Sequence, residues 1–148
     1  MPPRGGDPSH ALEMARGLKG HVHAVNVTDG SRAVMRMSSL AVARLLLDEG
    51  IEPVLQMACR DRNRIAIQAD LLGAHALGIR NLLCLTGDPV RAGDQPKARP
   101  VNELESVRLL QQVTAFNRGD DPVKGVLADG PTEIFAGAAA DPQCASWS

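Results

Sequence analysis

Four short stretches carry the side chains best suited to chemistry. The first is Thr86-Gly87-Asp88-Pro89, directly after the apolar run 81–85. Gly87 lets the backbone approach a ligand closely, and Asp88 puts a carboxylate beside it, so the stretch suits charge or hydrogen-bond control of a bound cofactor. Gly-Asp-Pro is also ordinary turn chemistry, and both readings stay open on spacing alone. The second is Asn26-Val27-Thr28-Asp29-Gly30. Thr28 has a hydroxyl to offer a cofactor ring, while Asp29 alone accounts for a plain connecting turn. The third, Cys59-Arg60-Asp61-Arg62-Asn63-Arg64, has arginines fit for a phosphate. It reads equally as a capped helix start with Arg60 and Arg64 solvated or paired to Asp61. Cys59 lacks a histidine placed to activate it. The fourth is the pair His21 and His23, two apart and so on one face of a strand. No acidic or cysteine partner stands near them, and no metal site is expected.

These clusters need elements to hold them. Residues 53–58 form an apolar run, a helical pattern follows to Gly78, and a second apolar run ends at Leu85. That is a βαβ unit with parallel strands, and both polar clusters follow strands, where parallel α/β folds bind ligands. The expected site spans residues 56–60 and 86–94, with Gln56 on its strand. Upstream, Asp7 as N-cap and Pro8 at the first helical position predict a helix ending at Gly20, with Leu12, Ala15 and Leu18 inward. Residues 21–27 alternate as a strand. A helix from about Ser38 to Gly50 buries Leu40, Ala43, Leu46 and Leu47. The helix at about 62–77 is expected to be capped near Asp61, with Ile65, Leu72 and Ala76 inward. A long loop, 89–100, leads to a helix carrying Leu109, Leu110 and Val113. Residues 123–131 form a turn-rich connector with a candidate hairpin at Asp129-Gly130, and 134–139 form a last short strand. Four parallel strands are therefore predicted, near 24–27, 53–57, 81–85 and 134–138. They fit an open doubly wound sheet or part of a (β/α)₈ barrel. Polar loops after every strand favour the barrel, and the absence of a GxGxxG after the first strand argues against a dinucleotide fold.

Composition narrows the function classes. The 148 residues carry a formal net charge of −1 with the two signs mixed, so no basic stripe supports nucleic-acid binding. The apolar stretches are too short to span a membrane. Cys59, Cys84 and Cys144 are odd in number and widely spaced, as expected of reduced thiols in the cytoplasm. With no Tyr, one Trp and two Phe, a planar cofactor would be held by backbone, aliphatic and polar groups.

Taken together, Pro2-Pro3-Arg4-Gly5, Val25-Asn26-Val27-Thr28-Asp29, Cys59-Arg60-Asp61-Arg62-Asn63-Arg64, Gly78-Ile79-Arg80-Asn81 and Leu85-Thr86-Gly87-Asp88-Pro89 resemble, in order and spacing, the methylenetetrahydrofolate reductases. The resemblance runs to about Pro142. It implies a (β/α)₈ barrel with FAD at the carboxyl ends of its strands. It also implies reduction of 5,10-methylenetetrahydrofolate to 5-methyltetrahydrofolate, with NAD(P)H as reductant, in the one-carbon metabolism that feeds methionine. By the same resemblance Thr28 lies close to the flavin ring, Gly87 belongs to the flavin-contacting turn, and Asp88 is the catalytic aspartate beside flavin and folate. Ala138 lies in a strand whose end lines the cofactor. Gln56 stands where many relatives have a histidine against the flavin; an amide hydrogen-bonds but does not titrate. Thr86 replaces an arginine of some relatives, and Asn102 replaces a common aromatic. A full barrel takes about 250 residues, so the resemblance implies a single partial-barrel domain over 1–148. The family's catalytic glutamate would precede Pro2-Pro3. The chain alone is accordingly expected to be inactive and to be a homo-oligomer or to need a partner chain that completes the barrel. The alternative expectation is a non-catalytic half-barrel binding module.

Overall fold

The computed structural model describes residues 1–140; Cys144 and the rest of the tail lie outside them. Four strands, β1 (Val25–Val27), β2 (Pro53–Ala58), β3 (Asn81–Leu85) and β4 (Phe135–Ala138), form one sheet in the order β1-β2-β3-β4. All three pairings are parallel, with Val27 beside Leu55, Gln56 beside Leu83, and Leu83 beside Gly137. Each strand is preceded by a helix: α1 (Ser9–Arg16), α2 (Ser39–Asp48), α3 (Arg64–Ala76) and α4 (Ser106–Arg118). This is an α/β fold, a partial TIM barrel.

The period-2 alternation of the strands divides the sheet into two faces. Val27, Leu55, Met57, Leu82 and Cys84 are buried, and they pack with Ala43 and Leu46 of α2, Ile67 and Leu71 of α3 and Leu109 and Val113 of α4 into one core. The opposite face holds Asn26, Val54, Gln56, Leu83, Leu85 and Phe135. Register sets these side by side, and none is fully buried. Within the sheet, strand order equals sequence order, so every polar loop after a strand falls on one rim.

Several boundaries differ from expectation for identifiable reasons. The first strand holds only the last three of residues 21–27. The ladder opens where Val25 N–H donates to the Glu52 carbonyl, while His21 N–H turns back to Leu18. His21 and His23 thus precede the sheet and do not share a strand face. Helix α1 begins at Ser9 because the Asp7 carboxylate accepts both the N–H and hydroxyl of Ser9 in an Asx turn, which holds that carboxyl below its ordinary range. It ends at Arg16, capped by Gly17, leaving Met14 and Leu18 exposed. In α2, Leu40 and Leu47 are only partly buried, and Val42 joins Ala43 and Leu46 inside.

The largest correction concerns α3. Its N-cap is Asn63, whose Oδ1 accepts the Ala66 N–H at 2.9 Å, not Asp61. Its buried face is Ile67, Leu71 and Ala74; Ile65 is 76% exposed, and Leu72 and Ala76 are exposed too. The helix carries two apolar stripes at helical spacing, and periodicity alone does not choose between them. Beyond α4, Gly119 takes a left-handed cap at φ 82°. The connector folds back through Leu127 N–H to the Gly119 carbonyl; its described residues form turns and no hairpin. Asn117 fixes the entry to β4, its amide donating to the Ile134 carbonyl and its Oδ1 accepting from Thr132 Oγ1 and Ile134 N–H.

Candidate active site

The rim at the strands' carboxyl ends gathers Thr28, Gln56, Gly87 and Asp88 from three adjacent strands. Thr28 follows β1 by one residue, in line with Gln56 by register. Its Oγ1 is buried and has no hydrogen-bond partner among the described residues. Such an orphan costs about 1–3 kcal/mol, a deficit that a polar ligand atom reaching this point would remove. Gln56 points to the open face of the sheet and donates through Nε2 to Asn26 Oδ1 at 3.3 Å. Ala138 is set apart from this group. It pairs with Cys84, which places it in the row that faces the helices.

A buried arginine organises the rim. Arg60 lies two residues past β2, in the 3-10 turn Cys59–Asp61, and its side chain runs between two glycine turns. Its Nε and one terminal nitrogen donate to the Asp61 carboxylate at 2.7 and 2.5 Å. The other terminal nitrogen donates to the carbonyls of Gly30 and Asp88, both at 3.3 Å. Its backbone joins in, with N–H to the Thr86 carbonyl and C=O from Val101 N–H. Gly30 and Gly87 have positive φ, 53° and 99°. A Cβ at Gly30 would lie 2.8 Å from the guanidinium, and one at Gly87 would lie 2.9 Å from Arg60 Cβ. Gly87 thus makes room for Arg60 as well as for any ligand.

Asp88 is exposed at the rim, and its Oδ2 accepts the Arg32 N–H at 2.6 Å. Arg32 and Ala33 both have positive φ, 58° and 54°, a strained arrangement of the kind found where a loop is held for a purpose. The segment after Asp88 straps across this loop. Asp94 accepts from Met35 N–H and from the Arg4 side chain, and a Cβ at Gly93 would run into the Ala33 carbonyl. Between the Gly87-Asp88 turn, the strap and the start of α4 lies a cleft of about 800 Å³, lined by Arg60, Asp88, Arg91, Asn102, Glu105 and Arg108 among others. Thr86 serves this architecture directly. Its Oγ1 accepts the Ser106 N–H at the start of α4.

The remaining candidates are consumed by the fold. Arg60 is buried against Asp61, not solvated; Arg62 binds Asp29 at 2.6 Å and Asp70 at 2.8 Å; Arg64 lies 3.5 Å from Glu103. Asp29 also accepts the Ala58 N–H, so it joins the ends of β1 and β2 rather than serving its own turn alone. Burial pushes the thiols of Cys59 and Cys84 up to about 11 and about 12, so neither is a thiolate nucleophile near neutrality. No helix among the described residues is long and apolar enough to cross a membrane.

The family model for methylenetetrahydrofolate reductase matches residues 1–133. The chain belongs to that family. A search of curated proteins gives no match. Thr28, Gln56, Gly87 and Asp88 share the rim of the partial barrel. Arg60 is read in the sequence as a phosphate ligand or as a helix-start residue solvated or paired to Asp61; its place between the two loops is not legible there, because buried arginine is rare. The available signal was the pair of glycines, Gly30 and Gly87, each following a strand and each vacating space for it.

Proposed function

We propose that this rim holds FAD and reduces 5,10-methylenetetrahydrofolate to 5-methyltetrahydrofolate at the expense of NAD(P)H, in the one-carbon metabolism of the cytoplasm that feeds methionine. Family membership supports methylenetetrahydrofolate reduction in general. The observation that carries the flavin reading is the buried, unpartnered Thr28 hydroxyl, in line with Gln56 on the rim that also holds Asp88. A bound flavin would supply hydride relay from the nicotinamide to the folate. Thr28 and Gln56 offer a hydroxyl and an amide to polar ring atoms. Gly87, without a side chain, lets the backbone approach the ring. Asp88 keeps a carboxylate beside the folate, oriented by the Arg32 N–H, where it favours the cationic character that activation develops on the substrate.

The test separates the two half-reactions. Asp88→Asn keeps an oxygen for the Arg32 N–H but removes the charge, and terms of this kind are worth about 3 kcal/mol. Measured in a completed barrel, stopped-flow absorbance is expected to show folate reduction slowed on the order of a hundredfold and nicotinamide oxidation slowed far less. Equal slowing of both would mean that Asp88 only shapes its loop. A second reading, a non-catalytic half-barrel module, is favoured by the open sheet face that carries Gln56, and flavin binding without turnover would support it.

A further inference from the structure

The strap 89–98 and the Asp88 turn before it grip the loop 30–37 at separate points. Asp88 Oδ2 accepts the Arg32 N–H at 2.6 Å. Further along, Asp94 accepts the Met35 N–H through Oδ1 at 2.9 Å and the Arg4 guanidinium through Oδ2 at 2.7 Å. Gly93 lies against the same loop, where a Cβ would come within 1.8 Å of the Ala33 carbonyl oxygen. Between these grips Arg32 and Ala33 both hold left-handed φ, 58° and 54°. Residues with a Cβ keep that conformation only where surrounding contacts over-determine it. The ends of the loop are pinned independently. The Gly30 carbonyl accepts from the Arg60 side chain, and the Met37 N–H donates to the Pro3 carbonyl.

We propose that Asp94 is a positioning residue for Asp88: it holds the strained loop so that the Arg32 N–H keeps the Asp88 carboxylate in one orientation. Asp88 is exposed, and its carboxylate accepts no other hydrogen bond among the described residues. Without that N–H the side chain is free to move among its rotamers. The N–H meets it only while two consecutive residues stay left-handed, and Asp94 supplies the polar grip just beyond them. Of its two bonds, the one to Met35 carries the effect. Arg4 is 59% exposed, and an ion pair so open to solvent is screened. Its share is to fasten the strap to the segment whose Pro3 carbonyl pins the far end of the loop. With both ends pinned, loss of Asp94 frees the middle of the loop and leaves the sheet intact.

The positioning is tested without flavin, in the 148-residue chain, by amide hydrogen exchange and proton–nitrogen NMR. Asp94→Ala is expected to speed exchange at Arg32 about tenfold, while the amides of β2 and β3 keep their rates. Asp88→Asn should move the Arg32 amide resonance in the parent and leave it unmoved in Asp94→Ala, where the two groups no longer meet. Asp94→Asn keeps an oxygen for Met35 and should restore most of the protection. Gly93→Ala leaves Asp94 in place but forces the strap off Ala33, and should lose the protection again. Unchanged protection of Arg32 in Asp94→Ala would overturn the proposal. So would equal acceleration at Arg32 and throughout β2 and β3, the mark of general destabilisation. The catalytic consequence rests on the reading of Asp88 proposed above. In a completed barrel, Asp94→Ala should slow folate reduction about tenfold, and no further when added to Asp88→Asn. Should Asp88→Asn itself leave folate reduction unslowed, the reading of Asp88 fails while the exchange result still decides the positioning. Should Asp88→Asn slow it and Asp94→Ala either spare it or slow both backgrounds alike, the catalytic role of Asp94 is overturned.

Discussion

Replacing Arg60 with Met isolates what the buried guanidinium contributes, because the aliphatic volume between Gly30 and Gly87 is largely kept. Two groups of interactions are lost. The pair with Asp61 is short, but that carboxylate is 51% exposed, so solvent screening limits its share to about 1 kcal/mol or less. The bonds to the Gly30 and Asp88 carbonyls are charge-assisted but long, at 3.3 Å, worth roughly 1 kcal/mol each. The backbone bond from Arg60 N–H to Thr86 survives. The expected loss is about 2–3 kcal/mol. Urea unfolding followed by circular dichroism, at one fixed protein concentration, should show the midpoint falling by about 1–2 M with an unchanged slope. Arg60→Lys should recover less than half of the loss, since one ammonium cannot span both carbonyls and Asp61. A loss below about 0.5 kcal/mol, the range of ordinary surface substitutions, would refute the reasoning and mean that Arg60 is solvated in solution.

Gly87→Ala should cost about 2 kcal/mol or more, from its positive φ and the 2.9 Å approach to Arg60 Cβ, whereas Gly5→Ala, with nothing within 4 Å, should be near neutral in the same urea assay. Ile67→Ala should cost about 2–5 kcal/mol and Ile65→Gln almost nothing, which checks the face that α3 buries. The thiols give an alkaline signature. Cys59 and Cys84 have folded values of about 11 and about 12, above their ordinary 9.0. The stability they contribute is therefore complete below about pH 9 and lost as pH rises through 11 to 12, up to roughly 3 kcal/mol for Cys59. Thermal melts from pH 8 to 11 should decline above pH 9, and Cys84→Ala should flatten part of that decline.

The strands were the most legible part of the chain. Residues 53–58 and 81–85 are apolar runs closed by polar turns, and all four strands form within a few residues of expectation. Parallel order followed from the helix between each pair. Legibility failed where two patterns competed. Alternation in His21-Val22-His23 imitates a strand but lies before the first ladder bond, and α3 carries two apolar stripes, of which only packing selects Ile67, Leu71 and Ala74. At the rim, Thr28, Gly87 and Asp88 stood out by type and position, but long-range pairing did not. Asp29 reaching Ala58 N–H and Arg62, Thr86 capping α4, and Asp88 holding the Arg32 N–H all join residues 20 or more apart in sequence. Their local spacing reads only as turns.

The central claim is that the rim around Thr28 and Asp88 is a flavin site, and the most direct measurement is titration of the chain with FAD, followed by flavin fluorescence and visible absorbance. Saturable binding is predicted, weakened about tenfold by Thr28→Val, a change of about 1.4 kcal/mol. That variant removes the hydroxyl while keeping the side chain's shape, and it should be no less stable than the parent, because the Thr28 Oγ1 has no partner among the described residues to lose. Failure to bind FAD, or binding that Thr28→Val leaves unchanged, would contradict the account.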